Sequence, residues 1–386
     1  MARRDNCLPR SANSLEACEH ANLIVRERIR SHESHVTGAN ASLTILRVGW
    51  PSGKAGNVFS CPRPCEDFVV ERHDTRREHP HGTEDHSNKS TEMPSLTSVV
   101  DSPGRIQRAF AYCEDLTRNH YENFPVASRC VPRHLRPHLC SIYAFSRTAD
   151  DFADEASLTP SERLHNLDEW GRKLDQCFEG HADDPVFIAL AQTARRFGIP
   201  KKPFLDLLTA FRYDVTQTRF ETFKDLQHYC EFSANPVGRL VLHLFGAVSD
   251  RNVALSDKIC TALQLANFWQ DVSIDWQKGR LYIPLEDLER FGYTEIELSH
   301  RVSNDQFRDV MRFELARTRG LFHQGKPLLQ EAPRRLRLEL RLTVLGGLTI
   351  LRKIEATGYD VLSVRPSIST LDKFVIIGKA IFHLNA

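Results

Sequence analysis

The sequence lacks charge of one sign, long apolar runs and a patterned set of cysteines, and each absence removes a class of function. Across 386 residues, 51 Lys and Arg are set against 50 Asp and Glu, for a net charge of +1. The two signs alternate as they do on solvated helix faces, so no nucleic-acid partner is expected. No run of about 18 apolar residues occurs, which argues against a transmembrane helix; the last apolar segment, Phe374 to Leu384, is too short to span. The opening MARRDNCLPRSANSLEACEH has no apolar stretch behind its basic residues and does not read as a signal peptide. The ten cysteines are scattered singly, which fits a reducing cytoplasm better than a disulfide scaffold. Cys61 and Cys65, in CPRPC, are near enough for a metal pair, but no second pair follows them. There is no Gly-rich dinucleotide fingerprint and no short repeat of the kind solenoids carry.

What is present divides at about residue 92. Residues 1 to 92 show little sustained periodicity and end in ERHDTRREHPHGTEDHSNKSTE, which contains no apolar side chain. Such a tract cannot bury a core, so it is expected to be a disordered or dispensable extension. Its histidines, His73, His79, His81 and His86, are then a polar tract rather than a metal cluster. Met93 stands where the organised sequence, 93 to 386, begins.

From about Ser102 onward, apolar residues recur every three or four positions in segments broken by Pro, Gly or Asp, and no strand alternation competes. The spacing predicts helices over 104–121, 134–155, 160–178, 184–197, 201–214, 222–247, 254–277, 303–325, 332–357 and 369–384. The predicted class is all-α, a helical bundle around a central apolar cavity, since bundle cores host sites built from facing helices.

Two constellations carry chemistry. In YAFSRTADDFADE, Tyr143, Arg147, Asp150 and Asp154 fall on one helical stripe, with the two carboxylates about 6 Å apart along the axis. Carboxylates so placed can share Mg²⁺, which favours a few carboxylate oxygens, water and substrate phosphate over an all-protein cage. Arg147 and Tyr143 are placed to hold a diphosphate. The plainer alternative is the acidic end of a surface helix, but four acids in six positions at a helix C-terminus oppose the dipole. In QLANFWQDVSIDWQKGRLYIP, Asn267, Asp271 and Asp275 are spaced by fours, with Gln264, Arg280 and Tyr282 nearby. One such pair is a weak signal; two, each flanked by aromatics, are a stronger one.

The region from about 104 to 360 resembles the squalene and phytoene synthases, whose hallmark is two helices bearing DxxxD, matched by Asp150 with Asp154 and by Asp271 with Asp275. Tyr143, Arg147, Tyr229, Gly238, Arg280 and Tyr282 extend the match. HYENFPVAS, from His120 to Ser128, and SANPVGR, from Ser233 to Arg239, are most similar to the bacterial hydroxysqualene synthases of hopanoid pathways. One departure is that Tyr121 and Asn123 stand where relatives of the HSxSF pattern carry serines.

The resemblance implies an isoprenoid synthase bundle that ionises a C30 prenyl diphosphate, with Mg²⁺ held by Asp150, Asp154, Asp271 and Asp275. It implies that His120, Gln264, Asn267, Arg280 and Tyr282 bind substrate. Tyr143, Arg147, Tyr229, Phe124 and Phe268 then act at the reacting centre, the aromatic rings, with Phe232, offering π faces to a cation. Water quenches the rearranged cation from presqualene diphosphate to give hydroxysqualene, with no NADPH, and Tyr121, Asn123 and Asn235 are expected to hold that water. The alternatives are head-to-head condensation of farnesyl or a related diphosphate to presqualene diphosphate, squalene or phytoene, and a non-catalytic assembly protein. Four intact, mutually repelling acids argue against the last. The apolar substrate makes peripheral contact with the inner membrane, and with neighbouring pathway enzymes, an expectation.

Overall fold

The computed structural model describes residues 102–119 and 131–382. The expectations for residues 1–92, for Cys61 and Cys65, and for His120, Tyr121, Asn123 and Phe124 lie outside the described residues. Within them every regular element is a helix, and there is no strand. In order, the helices are α1 (Pro103–Asn119), α2 (Arg136–Asp154), α3 (Pro160–Phe178), α4 (Pro185–Phe197), α5 (Lys202–Thr216), α6 (Phe223–Ser233), α7 (Asn235–Leu244) and α8 (Asp250–Gln277). They continue with α9 (Leu285–Phe291), α10 (Glu295–Ser299), α11 (Asp305–Gly325), α12 (Leu328–Glu331), α13 (Arg334–Ala356) and α14 (Thr370–Ile381).

The sequence marks most of these boundaries with local chemistry. Thr159, Thr222, Thr294 and Ser369 each close a capping box with an acid three residues on, satisfying backbone N–H groups that a helix start leaves open. Three expectations are corrected. The stretch 222–247 is not one helix: it breaks at Ala234, because Pro236 has no N–H to continue the ladder and sits in the first turn of a new helix, α7. The helix predicted over 254–277 starts earlier, at Asp250, where the Ser249 side chain accepts from Asn252 N. The helix predicted to end at 214 runs on to Thr216, which leaves Asp214 inside its last turn.

Two apolar clusters form the core. One joins α1 to α5 around Phe145, Trp170, Phe187 and Phe204, with Trp170 and Phe187 ring centroids 4.5 Å apart. The other surrounds α8, which packs on α7, α11 and α13. From Ile259 to Trp269, α8 is buried on every side, the pattern of a helix at the centre of a bundle rather than on its surface. α7 lies on the seam, giving Leu240 and Leu244 to the first cluster and Leu242 to the second. It approaches α8 closely because position 238 is glycine: a Cβ there would run into Ser256 Oγ and Cys260 Sγ.

Candidate active site

The first aspartate motif occupies the last turns of α2. Tyr143 and Asp150 are buried, while Arg147 and Asp154 are half-buried beside them, as the shared stripe predicted. Arg147 lies 2.5 Å from Asp151 Oδ1 and donates to Asp150 Oδ2 at 3.4 Å. Burial pushes the Asp150 carboxyl up to about 7, with Asp154 adding to the rise and Arg147 partly offsetting it. Asp150 Oδ1 is buried and has no hydrogen-bond partner among the described residues.

The second motif lies near the end of α8. Asn267 Nδ2 donates to Asp271 Oδ2 at 3.0 Å, which fixes the carboxylate plane. Arg365, in the segment between α13 and α14, grips the same carboxylate with both arms of its fork: Nε is 2.5 Å from Oδ1 and Nη2 is 3.1 Å from Oδ2. Gln264, one turn before Asn267, is fully buried, and neither amide atom has a partner among the described residues.

The two motifs meet through Arg280. Gly279 turns the chain back in the left-handed region at φ 77°, and the Arg280 N–H donates to Asp275 O at 2.8 Å, closing the end of α8. The guanidinium then reaches α2 and α5, with Nη2 3.0 Å from Asp154 Oδ1 and 3.3 Å from the carbonyl of Asp214. Asp214 in turn accepts from the Tyr229 hydroxyl at 2.6 Å. Beneath these polar groups the Phe268 and Tyr282 rings stack with centroids 3.7 Å apart and planes 8° from parallel. Burial, and then the charge of Asp214, push the Tyr282 phenol well above its usual range.

A narrow apolar cavity of about 80 Å³, part of it open to solvent, lies between α2, α7, α8 and α13. Its wall includes Tyr143 and Ser146 from α2 and Ser256, Ile259, Cys260 and Leu263 from α8. Continued by one and two turns, the α8 stripe reaches Asn267 and Asp271; one further turn along α2 from Ser146 is Asp150. On α8 the cavity wall spans Ser256 to Leu263, about 10 Å of axial length, and the aspartates lie one turn beyond it on α2 and two turns beyond it on α8.

The predicted site residues thus fall into three places. Tyr143, Arg147, Asp150, Asp154, Tyr229, Arg280 and Tyr282 form one connected group around Asp214, and Asn267 and Asp271 form a second with Arg365. Phe268 is packed against Tyr282 and is not in the cavity wall, whereas Tyr143 is. Phe232 packs on Tyr213 and His228 beside an outer polar depression, which Asn235 also lines. Asn235, whose Oδ1 accepts from Thr261 Oγ1 at 3.0 Å, lines that depression and not the apolar cavity, so it is not the wall group expected to hold water there. Asp214 and Arg365 were not anticipated: each is a single charged residue outside any repeat, though Asp214 in FRYDVT is an acid on an otherwise apolar helix end.

No group of three or more His, Cys, Asp or Glu side chains among the described residues could hold a metal by itself. The carboxylates come instead in pairs, one of which includes the orphaned Asp150 Oδ1. That donor set suits Mg²⁺, which completes its octahedron with water and phosphate oxygens.

Residues 117–372 match the family model described as squalene/phytoene synthase. A hydroxysqualene synthase of Sinorhizobium fredii is 38% identical over 222 residues, covering 57% of this chain and 74% of the relative. A phytoene synthase of Arthrospira platensis is 29% identical over 300 residues, covering 73% and 96%. Among solved structures, the squalene synthase HpnC from Alicyclobacillus acidocaldarius superposes with a TM-score of 0.65 at 43% identity, covering 67% of this chain and 97% of that one.

Proposed function

This chain belongs to the squalene/phytoene synthase family, and we propose that it converts presqualene diphosphate and water to hydroxysqualene and diphosphate. The observation that carries this reading is the apolar cavity between α2 and α8, helices that bear Asp150 and Asp271 one and two turns beyond its wall. A site of that form takes a long hydrocarbon at one end and an anionic, metal-binding headgroup at the other. The relatives named hydroxysqualene synthase, at 36–38% identity against 28–32% for those named phytoene synthase, support the alcohol-forming branch.

In this reading Asp150, Asp154, Asp271 and Asp275 hold Mg²⁺. Mg²⁺ held there would supply Lewis-acid neutralisation of the diphosphate leaving group. Arg147, Arg280 and Arg365, which pair with Asp150, Asp154 and Asp271, would donate to phosphate oxygens. To do so, they exchange carboxylate partners for phosphate ones. Asn267 keeps the Asp271 carboxylate oriented. The cavity wall excludes bulk water while the cyclopropylcarbinyl cation rearranges, and Tyr143 presents a π face to it. Water ends the reaction, so no nicotinamide is required.

Head-to-head condensation remains the second reading, favoured by the longer coverage of the phytoene synthase match. The deciding experiment offers presqualene diphosphate and farnesyl diphosphate separately, with Mg²⁺ and ¹⁸O-labelled water, with and without NADPH. Labelled hydroxysqualene in both nicotinamide conditions is expected. Squalene formed only with NADPH, or a condensation product from farnesyl diphosphate alone, would overturn it.

No helix among the described residues is long and apolar enough to cross a membrane. Peripheral contact with a lipid surface is part of the proposal, through the outward face of α14.

A further inference from the structure

The apolar cavity contains one group that its hydrocarbon wall does not explain. Glu339 stands on α13 between Leu336 and Thr343, and these three line the cavity with Leu340. Facing them are Leu139 and Ile142 of α2, Val237 and Leu240 of α7, and Ile259 and Leu263 of α8. Glu339 Oε2 is buried and has no hydrogen-bond partner among the described residues. No ion pair joins it to Arg335, Arg337 or Arg341 on the same helix; Arg337 instead donates to the carbonyl of Ala332. Glu339 caps no helix and bridges no two elements.

Glu339 as a residue is half-buried, but its Oε2 is shut away from water without a partner, which is costly to a fold, and it performs no structural task that offsets the cost. Burial pushes it up to about 8. Function is the remaining reason to keep it, and its position suggests which function. The cavity has to shield a cation from water through its rearrangement and then admit one water at one carbon. A water in an apolar cavity needs two to four polar partners. In this wall a carboxyl is present with the hydroxyls of Thr343, one turn further along α13, and of Ser146 and Ser256. Ser146 Oγ donates to the carbonyl of Ile142 at 3.1 Å, which leaves its lone pairs free to accept.

Resting on the hydroxysqualene reading, we propose that Glu339 is a catalytic residue that holds the quenching water in the cavity and takes its proton. A lone pair of the water oxygen forms the C–O bond to the cationic carbon. The electrons of one O–H bond stay on that oxygen as its proton passes to the Glu339 carboxylate, which later releases it to solvent. Presqualene diphosphate and water thus give hydroxysqualene, diphosphate and one proton. Positive charge developing in the cavity favours the ionised carboxylate, and a carboxylate made more basic by burial is the better acceptor.

The test compares the full-length wild type with Glu339→Gln, Glu339→Leu and Glu339→Asp, incubated with presqualene diphosphate and Mg²⁺. Hydroxysqualene and pyrophosphate are quantified in the same reaction, and circular dichroism reports the fold. Wild type is expected to form the two in equal amounts. In Glu339→Gln and Glu339→Leu the ratio of hydroxysqualene to pyrophosphate is expected to fall about 10-fold or more. Hydrocarbons formed by proton loss, or isomeric alcohols, would make up the difference. Glu339→Asp, which keeps the carboxyl one methylene back, restores part of the alcohol. A purely structural role would lower both products together and leave their ratio at one, and that result overturns the assignment. The wild-type product is read independently: if it is not hydroxysqualene, the functional reading fails, and Glu339 loses its role with it.

Discussion

Arg280 Nη2 lies 3.0 Å from Asp154 Oδ1, across 126 positions of sequence, and ties the turn after the second aspartate motif to the last turn of the first. The same nitrogen reaches the carbonyl of Asp214, so one guanidinium holds the ends of α2, α5 and α8 together. Both partners are mostly buried, at 12% and 21% side-chain exposure. Removing the cation would leave a carboxylate without compensation in a site that already contains Asp150 and Asp214.

Arg280→Met is therefore expected to lose about 3 kcal/mol of stability in metal-free protein, the usual cost of breaking one side of a buried pair. Mg²⁺ with pyrophosphate should recover part of that loss, because it supplies the missing positive charge. Turnover should fall by about 100-fold or more, as it does when one donor to a developing anion is removed. Thermal melts with and without Mg²⁺ and pyrophosphate, beside steady-state rates, check all three effects.

Asp150→Asn should move stability and activity in opposite directions. The folded-state carboxyl sits at about 7, above its ordinary 3.8, so the fold favours the protonated form. Its contribution to stability is fully present below about 4 and is lost as pH rises through 7. The amide cannot ionise. In metal-free protein the variant is thus expected to melt higher than wild type at pH 8, by an amount on the order of a few kcal/mol, and to match it near pH 4. Its turnover at saturating Mg²⁺ should be abolished. A variant with near-normal turnover would remove Asp150 from the metal site.

Much of this site was legible because helical periodicity is a repeating signal. Asp150 with Asp154, and Asn267 with Asp271 and Asp275, announce themselves by spacing, and the aromatics beside them imply burial. Asp214 and Arg365 carry no such signal. Each acts alone, and each acquires its role only when tertiary packing brings α5 under Arg280, or brings the segment before α14 back across 94 positions to Asp271. Glu339 was hidden for another reason. In RRLRLELRLT it looks like one charge among many on a solvated helix, and only the packing of α13 shows that it faces inward. The break at Ala234 was readable from the Asn-Pro pair, but a strong apolar pattern on both sides masked it.

Gly238→Ala tests the seam where α7 meets α8. The added methyl would collide with Ser256 Oγ and Cys260 Sγ, both of which line the cavity. Forcing an extra carbon into a packed helix contact typically costs about 1–3 kcal/mol. A lower melting temperature is expected. Because Ser256 and Cys260 line the cavity, their displacement into it would raise KM for presqualene diphosphate as well. A variant as stable as wild type would mean that α7 can shift outward freely.

α14 buries Ile376 and Ala380, but it leaves Leu371, Phe374 and Phe382 at 73%, 69% and 72% exposure, with Val375, Ile377 and Ile381 also outward. Positions 371, 374, 378 and 381 share one stripe, so most of this exposure is a continuous apolar face rather than scattered side chains. Lys373 and Lys379 are half-buried beside it, where long basic side chains can reach anionic headgroups. A face of this kind lies in the plane of a lipid surface, and its affinity grows with the apolar area it buries. The full chain is expected to co-sediment with vesicles containing anionic lipid. The double variant Leu371→Ser, Phe374→Ser should reduce the bound fraction several-fold, while turnover on detergent-dispersed presqualene diphosphate stays near wild type. High salt should weaken binding only in part, since it screens the lysines and leaves the apolar contact intact. Vesicle binding that is unaffected by the double variant would assign membrane contact to another part of the chain.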